Sequence, residues 1–152
     1  MAITTEMCNS FKTQLLTGVH NFTTSTGDVF KIALYTSTAT LNKSTTVYSA
    51  TNEAAVSGGS SNYSAGGFTL TNVTPTLSTD TAIVDFNDPT VITLSGGSAS
   101  FTAAGCLIYN SSESNAAVSA HSFTEATASG DGATFTVTFP AAAAGTAIIR
   151  LA

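Results

Sequence analysis

The chain has 152 residues, of which 43% are hydrophobic and only 9% are charged, and its net charge is −5. Disordered chains combine low hydrophobicity with high net charge, so this composition predicts a folded protein, and its length fits a single domain spanning 1–152. The basic residues are far apart, at Lys12, Lys31, Lys43 and Arg150. Because binding to phosphates or to anionic lipids requires clustered cations, we expect neither nucleic acid nor membrane partners.

Serine and threonine occupy much of the surface that charged residues would fill in an ordinary domain. Ordering a lysine or glutamate side chain costs about 1.5–2 kcal/mol in rotamer entropy, whereas ordering a serine or threonine costs less. A hydroxyl-rich surface of this kind favours extensive packing against neighbouring subunits. The first residues contain neither a basic region nor an apolar run, so we expect no signal peptide and synthesis in the cytoplasm.

An amphipathic helix is predicted at the N-terminus. Met7, Phe11 and Leu15 recur every four residues and form an apolar stripe. Threonines at its start can cap the helix, and Gly18 can end it. The pattern predicts a helix over Thr5–Thr17. Its stripe can pack over the face of a sheet or dock on a partner subunit.

The remainder of the chain is typical of strands separated by turns. Phe101–Tyr109 is nearly continuously apolar, which predicts a central strand that is buried on both faces. Pro75 restricts its own segment to a sheet edge or a bulge. The fold class is therefore predicted to be mainly β, an antiparallel β-sandwich or open barrel of about seven to nine strands with one N-terminal amphipathic α-helix. The predicted strands are Val29–Thr36, Phe68–Val73, Thr81–Phe86, Val91–Leu94, Phe101–Tyr109, Ala116–Phe123, Ala133–Phe139 and Thr146–Leu151.

Two connections have a distinctive composition. Ser129–Gly132 combines residues that accept positive φ and predicts a tight turn. Ser57–Gly67 is rich in glycine, which predicts an exposed loop in which Tyr63 is the only large side chain.

We predict no catalytic, cofactor-binding or metal-binding residues. Cys8 lies in the predicted helix and Cys106 in an apolar strand, so we expect two buried thiols, although the sequence also leaves a disulfide between them open. No pattern of zinc ligands surrounds either cysteine. His20, after the helix end, would help the helix terminus as a cation, and His121 lies within a strand. Residue types alone leave a serine–histidine–aspartate triad open, although no nucleophile-elbow motif is present.

Asp85 and Asp88 are the nearest approach to an acidic cluster. Paired carboxylates can bind calcium or hydrolyse glycosides. A structural interpretation is stronger, because Asp88 precedes Pro89 in a turn signal and Asp85 falls at a solvent-facing strand position. Sugar binding would need an aromatic platform, and nothing in the sequence brings the four tyrosines together.

The sequence also resembles a family of small virion structural proteins encoded by tailed phages, many of them from aquatic environments. The matching segments together span nearly the whole chain. The KIALY and YSAGG segments and the closing FPAAAAGTAIIR are the most distinctive, and none of them carries catalytic chemistry. The segments that carry the resemblance are Met1–Thr17, Phe30–Leu41, Tyr63–Val73, Gly105–Asn115 and Phe135–Arg150.

The resemblance implies a non-enzymatic virion protein made in the host bacterial cytoplasm. We expect a capsid decoration, or cement, protein that binds the major capsid protein and assembles with copies of itself, most naturally as a trimer. The alternative is a tail or adsorption component: a hub, a fibre-associated protein or a receptor- or carbohydrate-binding module. A cell-wall glycan hydrolase is a third class and would depend on Asp85 and Asp88. The candidate interface residues are Met7, Phe11, Leu15 and Tyr63.

Overall fold

The computed structural model describes residues 2–152. Over this range the chain forms eleven strands and one helix, seven of the strands having three residues or more. The predicted mainly β, sandwich-like class with an N-terminal helix is confirmed. The elements are β1 (Glu6–Met7), α1 (Asn9–Leu16), β2 (Phe30–Tyr35), β3 (Ser60–Ser61), β4 (Phe68–Thr69), β5 (Asn72–Ser78), β6 (Thr81–Phe86), β7 (Ile92–Ser95), β8 (Ser100–Asn110), β9 (Ala116–Ser129), β10 (Thr134–Phe135) and β11 (Ile149–Leu151).

Three antiparallel sheets organise these strands. The central sheet has five strands in the order β1-β9-β8-β2-β4. Two smaller sheets have the orders β10-β7-β3 and β11-β6-β5. We call the second of these the outer sheet. Strand β8 lies between β9 and β2 and is buried along nearly its whole length, as its apolar sequence predicts.

Both faces of the central sheet are covered. Phe30 lies opposite Asn110 on one face, and its ring packs against Phe86 of the outer sheet with ring centroids 5.5 Å apart. Tyr109 lies on the opposite face, where its ring stacks on Tyr48 from the connection between β2 and β3. The connection after β2 therefore covers the Tyr109 face of the central sheet, which in a regular β-sandwich would pack against a second sheet.

The helix is shorter than the predicted Thr5–Thr17. Glu6 and Met7 are strand residues that pair with Ala120 and Ser119 of β9, so the threonines before them cannot cap α1. The turn around Lys43 satisfies this end of the helix, because its carbonyl accepts the Asn9 N–H at 2.8 Å. The described part of the chain contains no helix long and apolar enough to cross a membrane.

The other end of α1 agrees with the sequence prediction. Gly18 has a φ of 72° and follows Thr17, the C-cap residue of the helix. Its N–H donates to the Leu15 carbonyl at 3.2 Å, and the Val19 N–H donates to the Gln14 carbonyl at 3.0 Å. This pair of bonds is the Schellman arrangement, which requires a left-handed residue at the glycine position.

Some strand boundaries differ from the predicted ones. The predicted strand over 133–139 pairs only as β10, and beyond its end the Phe139 N–H donates to the Asp88 carboxylate at 2.7 Å. Strand β9 continues to Ser129, beyond the predicted Phe123, because its polar end pairs with the start of β8. Pro75 lies on an edge strand beside a register shift, as predicted.

Candidate functional site

The four tyrosines of the chain cluster around one carboxylate, an association that no sequence pattern predicts. Tyr63 Oη donates to Glu53 Oε1 at 2.7 Å, and Tyr48 Oη donates to Glu53 Oε2 at 2.6 Å. The Gly66 N–H also donates to both carboxylate oxygens, at 2.9 and 3.2 Å. Charge-assisted hydrogen bonds of this kind are about twice as strong as neutral ones.

The other two tyrosines complete this tyrosine–glutamate cluster. Tyr109 Oη donates to the Gly66 carbonyl at 2.7 Å, and its ring lies 4.7 Å from that of Tyr48 in a stacked arrangement. Tyr35 Oη donates to the Ser49 carbonyl at 2.6 Å. The cluster therefore ties the connection after β2 and the glycine-rich segment before β4 to the central sheet.

The phenols of the cluster remain protonated donors. Burial raises the pKa of Tyr63, and the nearby Glu53 raises it further. The Leu34 N–H donates to the Tyr63 oxygen at 2.8 Å and partly opposes this rise. Burial also raises the pKa of Tyr48, and its hydrogen bond to Glu53 adds to the shift. Each of the four hydroxyl groups has a hydrogen-bond partner within the chain, so the cluster stabilises the fold.

The prediction that Tyr63 lies on an exposed loop is wrong. Its side chain is 7% exposed, and those of Tyr35 and Tyr109 are almost fully buried. The surrounding segment is mostly exposed, but it includes β3, and the tyrosine turns inward to reach Glu53. Three of the four rings therefore offer no platform for a sugar.

A second polar cluster surrounds His20, which is 8% exposed. His20 Nε2 lies 3.0 Å from Gln14 Oε1, and its Nδ1 lies 3.0 Å from Asn110 Nδ2. Asn110 Nδ2 also donates to Asp28 Oδ2 at 2.8 Å. The predicted role of His20 as a helix-terminal cation is therefore wrong, since burial lowers the pKa of the imidazole while Asp28 and Glu113 oppose the shift.

A serine–histidine pair lies in β9, the strand next to the short edge strand β1 of the central sheet. Ser119 Oγ is 2.9 Å from His121 Nε2, and both line a cavity of about 350 Å³ beside Glu6 and Arg150. Ser119 is 2% exposed, and burial lowers the pKa of His121. Among the described residues, no carboxylate hydrogen-bonds to His121, so the pair lacks the third member of a catalytic triad.

The two aspartates have different surroundings. Asp85 was predicted to face solvent, but it is 6% exposed, and its carboxylate accepts the N–H of Phe86 at 2.8 Å. Burial raises the pKa of Asp85, the Phe86 hydrogen bond opposes this, and Asp88 adds to it. Asp88 accepts the Phe139 N–H and fixes that segment. Within residues 2–152 no group of three or more His, Cys, Asp or Glu residues could hold a metal ion.

Cys8 and Cys106 are free and buried, as predicted. Burial raises the pKa of Cys8 to about 11 and that of Cys106 to about 12. Both thiols are consequently protonated and unreactive in the folded chain.

The predicted interface residues separate into two groups. Phe11 and Tyr63 face the interior of the protein and are 0% and 7% exposed. Met7 lies in β1 rather than in the helix, and it and Leu15 are half-buried. The apolar stripe of the helix therefore packs mainly on the protein itself, and its residues do not form a free surface.

An apolar row that the sequence analysis missed crosses the outer sheet. Leu77 of β5 pairs with Ala82 of β6, and Ala82 pairs with Leu151 of β11, so these side chains share one face. Leu77 is 72% exposed, Leu151 is 48% exposed and Ala82 is also exposed. No local pattern identifies this row, because only the register of the three strands brings its members together.

The chain was also compared with known proteins. It matches no protein-family model, no curated protein and no solved structure. The resemblance to phage virion proteins thus stays a prediction based on the segments quoted above.

Proposed function

We propose that this protein is a non-enzymatic structural component of a tailed-phage virion, and that it decorates the capsid by binding the major capsid protein. The exposed apolar row of Leu77, Ala82 and Leu151 is the observation that carries the proposal. Burying apolar surface contributes about 25 cal/mol per Å², so a row of this kind gains free energy when a neighbouring subunit covers it.

The surroundings of the row favour the same use. Strand β5 is an edge strand with mostly exposed residues, and Pro75 removes one backbone donor from that edge. Backbone pairing between β5 and a strand of another subunit is thereby disfavoured. The side chains of a neighbouring subunit can still pack on the row. The charge-poor, hydroxyl-rich composition reduces the entropy lost when the surrounding surface is ordered.

The mechanism we propose is burial of surface at many identical positions. A specific protein interface typically buries about 1,600 Å² in total. The row is therefore the apolar centre of a larger contact, whose rim is formed by the polar residues of the outer sheet. Repetition over the capsid lattice would convert a modest affinity per site into stability of the shell. A trimer suits the threefold positions of such a lattice.

Cryo-electron microscopy of the native particle tests the location. We expect density for this chain over the capsid, at positions related by threefold or local threefold symmetry. Density confined to the tail would overturn the decoration role and favour the alternative, a tail or adsorption component. Absence of the chain from purified particles would overturn both.

A binding experiment tests the row itself. The double variant Leu77→Ser, Leu151→Ser should bind capsids stripped of this protein at least about tenfold more weakly than the unaltered chain, because burial of two leucines contributes well over 1.4 kcal/mol. Leu16→Ser is the matched control, since Leu16 is 90% exposed on α1 and lies outside the row. Equal binding by all three proteins would exclude the row as the interface.

A further inference from the structure

We propose that His20 is a pH-sensitive latch, which holds helix α1 on the central sheet when the imidazole is neutral and releases it when the imidazole is protonated. The two ends of this link belong to different elements. Gln14 lies in α1, and Asn110 ends the central strand β8. His20 bridges them through its two ring nitrogens, each 3.0 Å from its partner atom.

The orientation of Asn110 fixes which nitrogen of His20 carries the proton. Asn110 Oδ1 accepts the backbone N–H groups of Ser112 and Glu113, at 3.0 and 3.3 Å. The amide nitrogen must therefore face His20 Nδ1 and Asp28 Oδ2. Since that nitrogen can only donate, His20 Nδ1 is an acceptor and the proton of the neutral ring lies on Nε2, from which it donates to Gln14 Oε1.

Protonation is incompatible with this arrangement. A charged imidazole has an N–H at both nitrogens, so its Nδ1–H would face the N–H of Asn110. The amide of Asn110 cannot rotate to present its oxygen without losing the bonds from Ser112 and Glu113 and the bond to Asp28. The link to β8 must break, while the bond to Gln14 can persist.

The surroundings of the ring are mainly aromatic. Ring centroids of Phe11, Phe22 and Phe30 lie 4.9, 6.3 and 6.3 Å from that of His20. Phe11 belongs to α1 and is fully buried, so movement of the imidazole disturbs the packing of Phe11 that holds the helix on the protein. An apolar environment disfavours the charged ring, in the direction that burial shifts its pKa.

The charged groups near the ring are few. Asp28 and Glu113 favour the cation but do not outweigh burial. The lysine of α1, Lys12, is exposed and donates to Asn9 on the helix surface, and Lys31 of β2 pairs with Tyr109 on the opposite face from Phe30. Neither lysine is among the charges that influence His20.

The sign of the pH dependence follows from the lowered pKa. The opened form, with an ordinary pKa near 6.5, binds a proton at a higher pH than the closed form. The closed state is therefore most stable above about pH 6.5 and loses stability as the pH falls from there to the lower pKa of the closed state. Within that window the opening equilibrium constant rises by up to about tenfold per pH unit.

The two cysteines provide local reporters of opening. Cys8 directly precedes α1, whereas Cys106 lies within β8, and both are buried. We would label the native full-length chain with a pyridyl disulfide reagent from about pH 7.5 to about pH 5, the range in which histidine titrates. Peptide mass spectrometry would then give each rate, normalised to that of the denatured chain at the same pH.

The latch predicts that the normalised rate of Cys8 rises as the pH falls, by up to about tenfold per pH unit, while that of Cys106 does not. Parallel rises at both thiols would mean global unfolding and would overturn the proposal. A rate at Cys8 that is independent of pH would overturn it as well.

Variants assign the effect to one histidine, since the chain has two. His121→Gln should retain the pH dependence of Cys8 labelling, and His20→Gln should abolish it. If His20→Gln does not fold, nitrogen NMR of His121→Gln reports the single remaining imidazole. A neutral ring protonated at Nε2, with a pKa below 6.5, agrees with the latch. Protonation at Nδ1, or a pKa above 6.5, would overturn it.

Discussion

The central sheet and the outer sheet differ in what covers their faces. Strand β8 of the central sheet is buried between the outer sheet on one side and the tyrosine–glutamate cluster on the other. The outer sheet has one strand, β5, whose residues are mostly exposed, and a row of apolar side chains on its surface. The same type of residue, a leucine in a strand, thus stabilises the fold in one sheet and is free to contact a neighbour in the other.

The largest expected effect compares two leucines directly. Leu107 of β8 is 0% exposed, and Leu77 of β5 is 72% exposed. We expect Leu107→Ala to lower the free energy of unfolding by about 2–5 kcal/mol, since it leaves a cavity in the core. Leu77→Ala should change it by less than about 0.5 kcal/mol. Denaturant unfolding of both variants measures the difference, and similar losses in the two would remove the distinction between the sheets.

A glycine beside the central sheet should give the next largest effect. Gly67 has a φ of 71°, and a Cβ at this position would overlap the backbone carbonyl of Ile32. Left-handed geometry alone costs a residue with a side chain about 1–2 kcal/mol, and relieving the overlap must displace β2. We expect Gly67→Ala to destabilise the protein by more than about 2 kcal/mol in thermal or denaturant unfolding.

Gly97 provides the control for that substitution. It does not have a positive φ, and a Cβ there would meet no atom within 4 Å. Gly97→Ala should therefore leave the stability within about 0.5 kcal/mol of the unaltered chain. Equal effects at the two glycines would show that Gly67 is not held against β2 as described.

The smallest of the three effects tests the tyrosine–glutamate cluster. Glu53→Gln keeps the shape of the side chain but removes the charge that accepts hydrogen bonds from Tyr48, Tyr63 and Gly66. Hydrogen bonds to a charged group contribute about 1.5–3 kcal/mol, and an amide retains part of them. We expect a loss of about 1.5 kcal/mol in denaturant unfolding. Glu125→Gln, at an exposed position of β9, is the control and should be neutral.

Periodicity predicted the strands that carry the core. The predicted Thr81–Phe86 coincides with β6, and the continuous apolar run over 101–109 falls within the buried β8. Such segments can be predicted because burial on one or both faces imposes a pattern on neighbouring residues. The end of β9 escaped prediction because residues 124–127 are exposed and their sequence carries no alternation of apolar and polar side chains.

The start of the helix could not be predicted for a different reason. Met7 continues the spacing of Phe11 and Leu15, yet its backbone pairs with β9. A residue in a strand that ends just before a helix can satisfy the same apolar spacing as a residue within the helix. Hydrogen bonding to a partner more than a hundred residues away decided between the two, and local sequence contains no record of that partner.

The sequence by itself determined the mainly β class, the buried central strand, the glycine end of the helix and the proline at a sheet edge. Each of these is predicted by a pattern of residue types that are close along the chain. The tertiary structure decided that four tyrosines meet at Glu53, that His20 bridges α1 and β8, and that Leu77 and Leu151 share a surface. Each of these groups includes residues far apart in sequence, and only the register of the strands and the path of the loops brings them into contact.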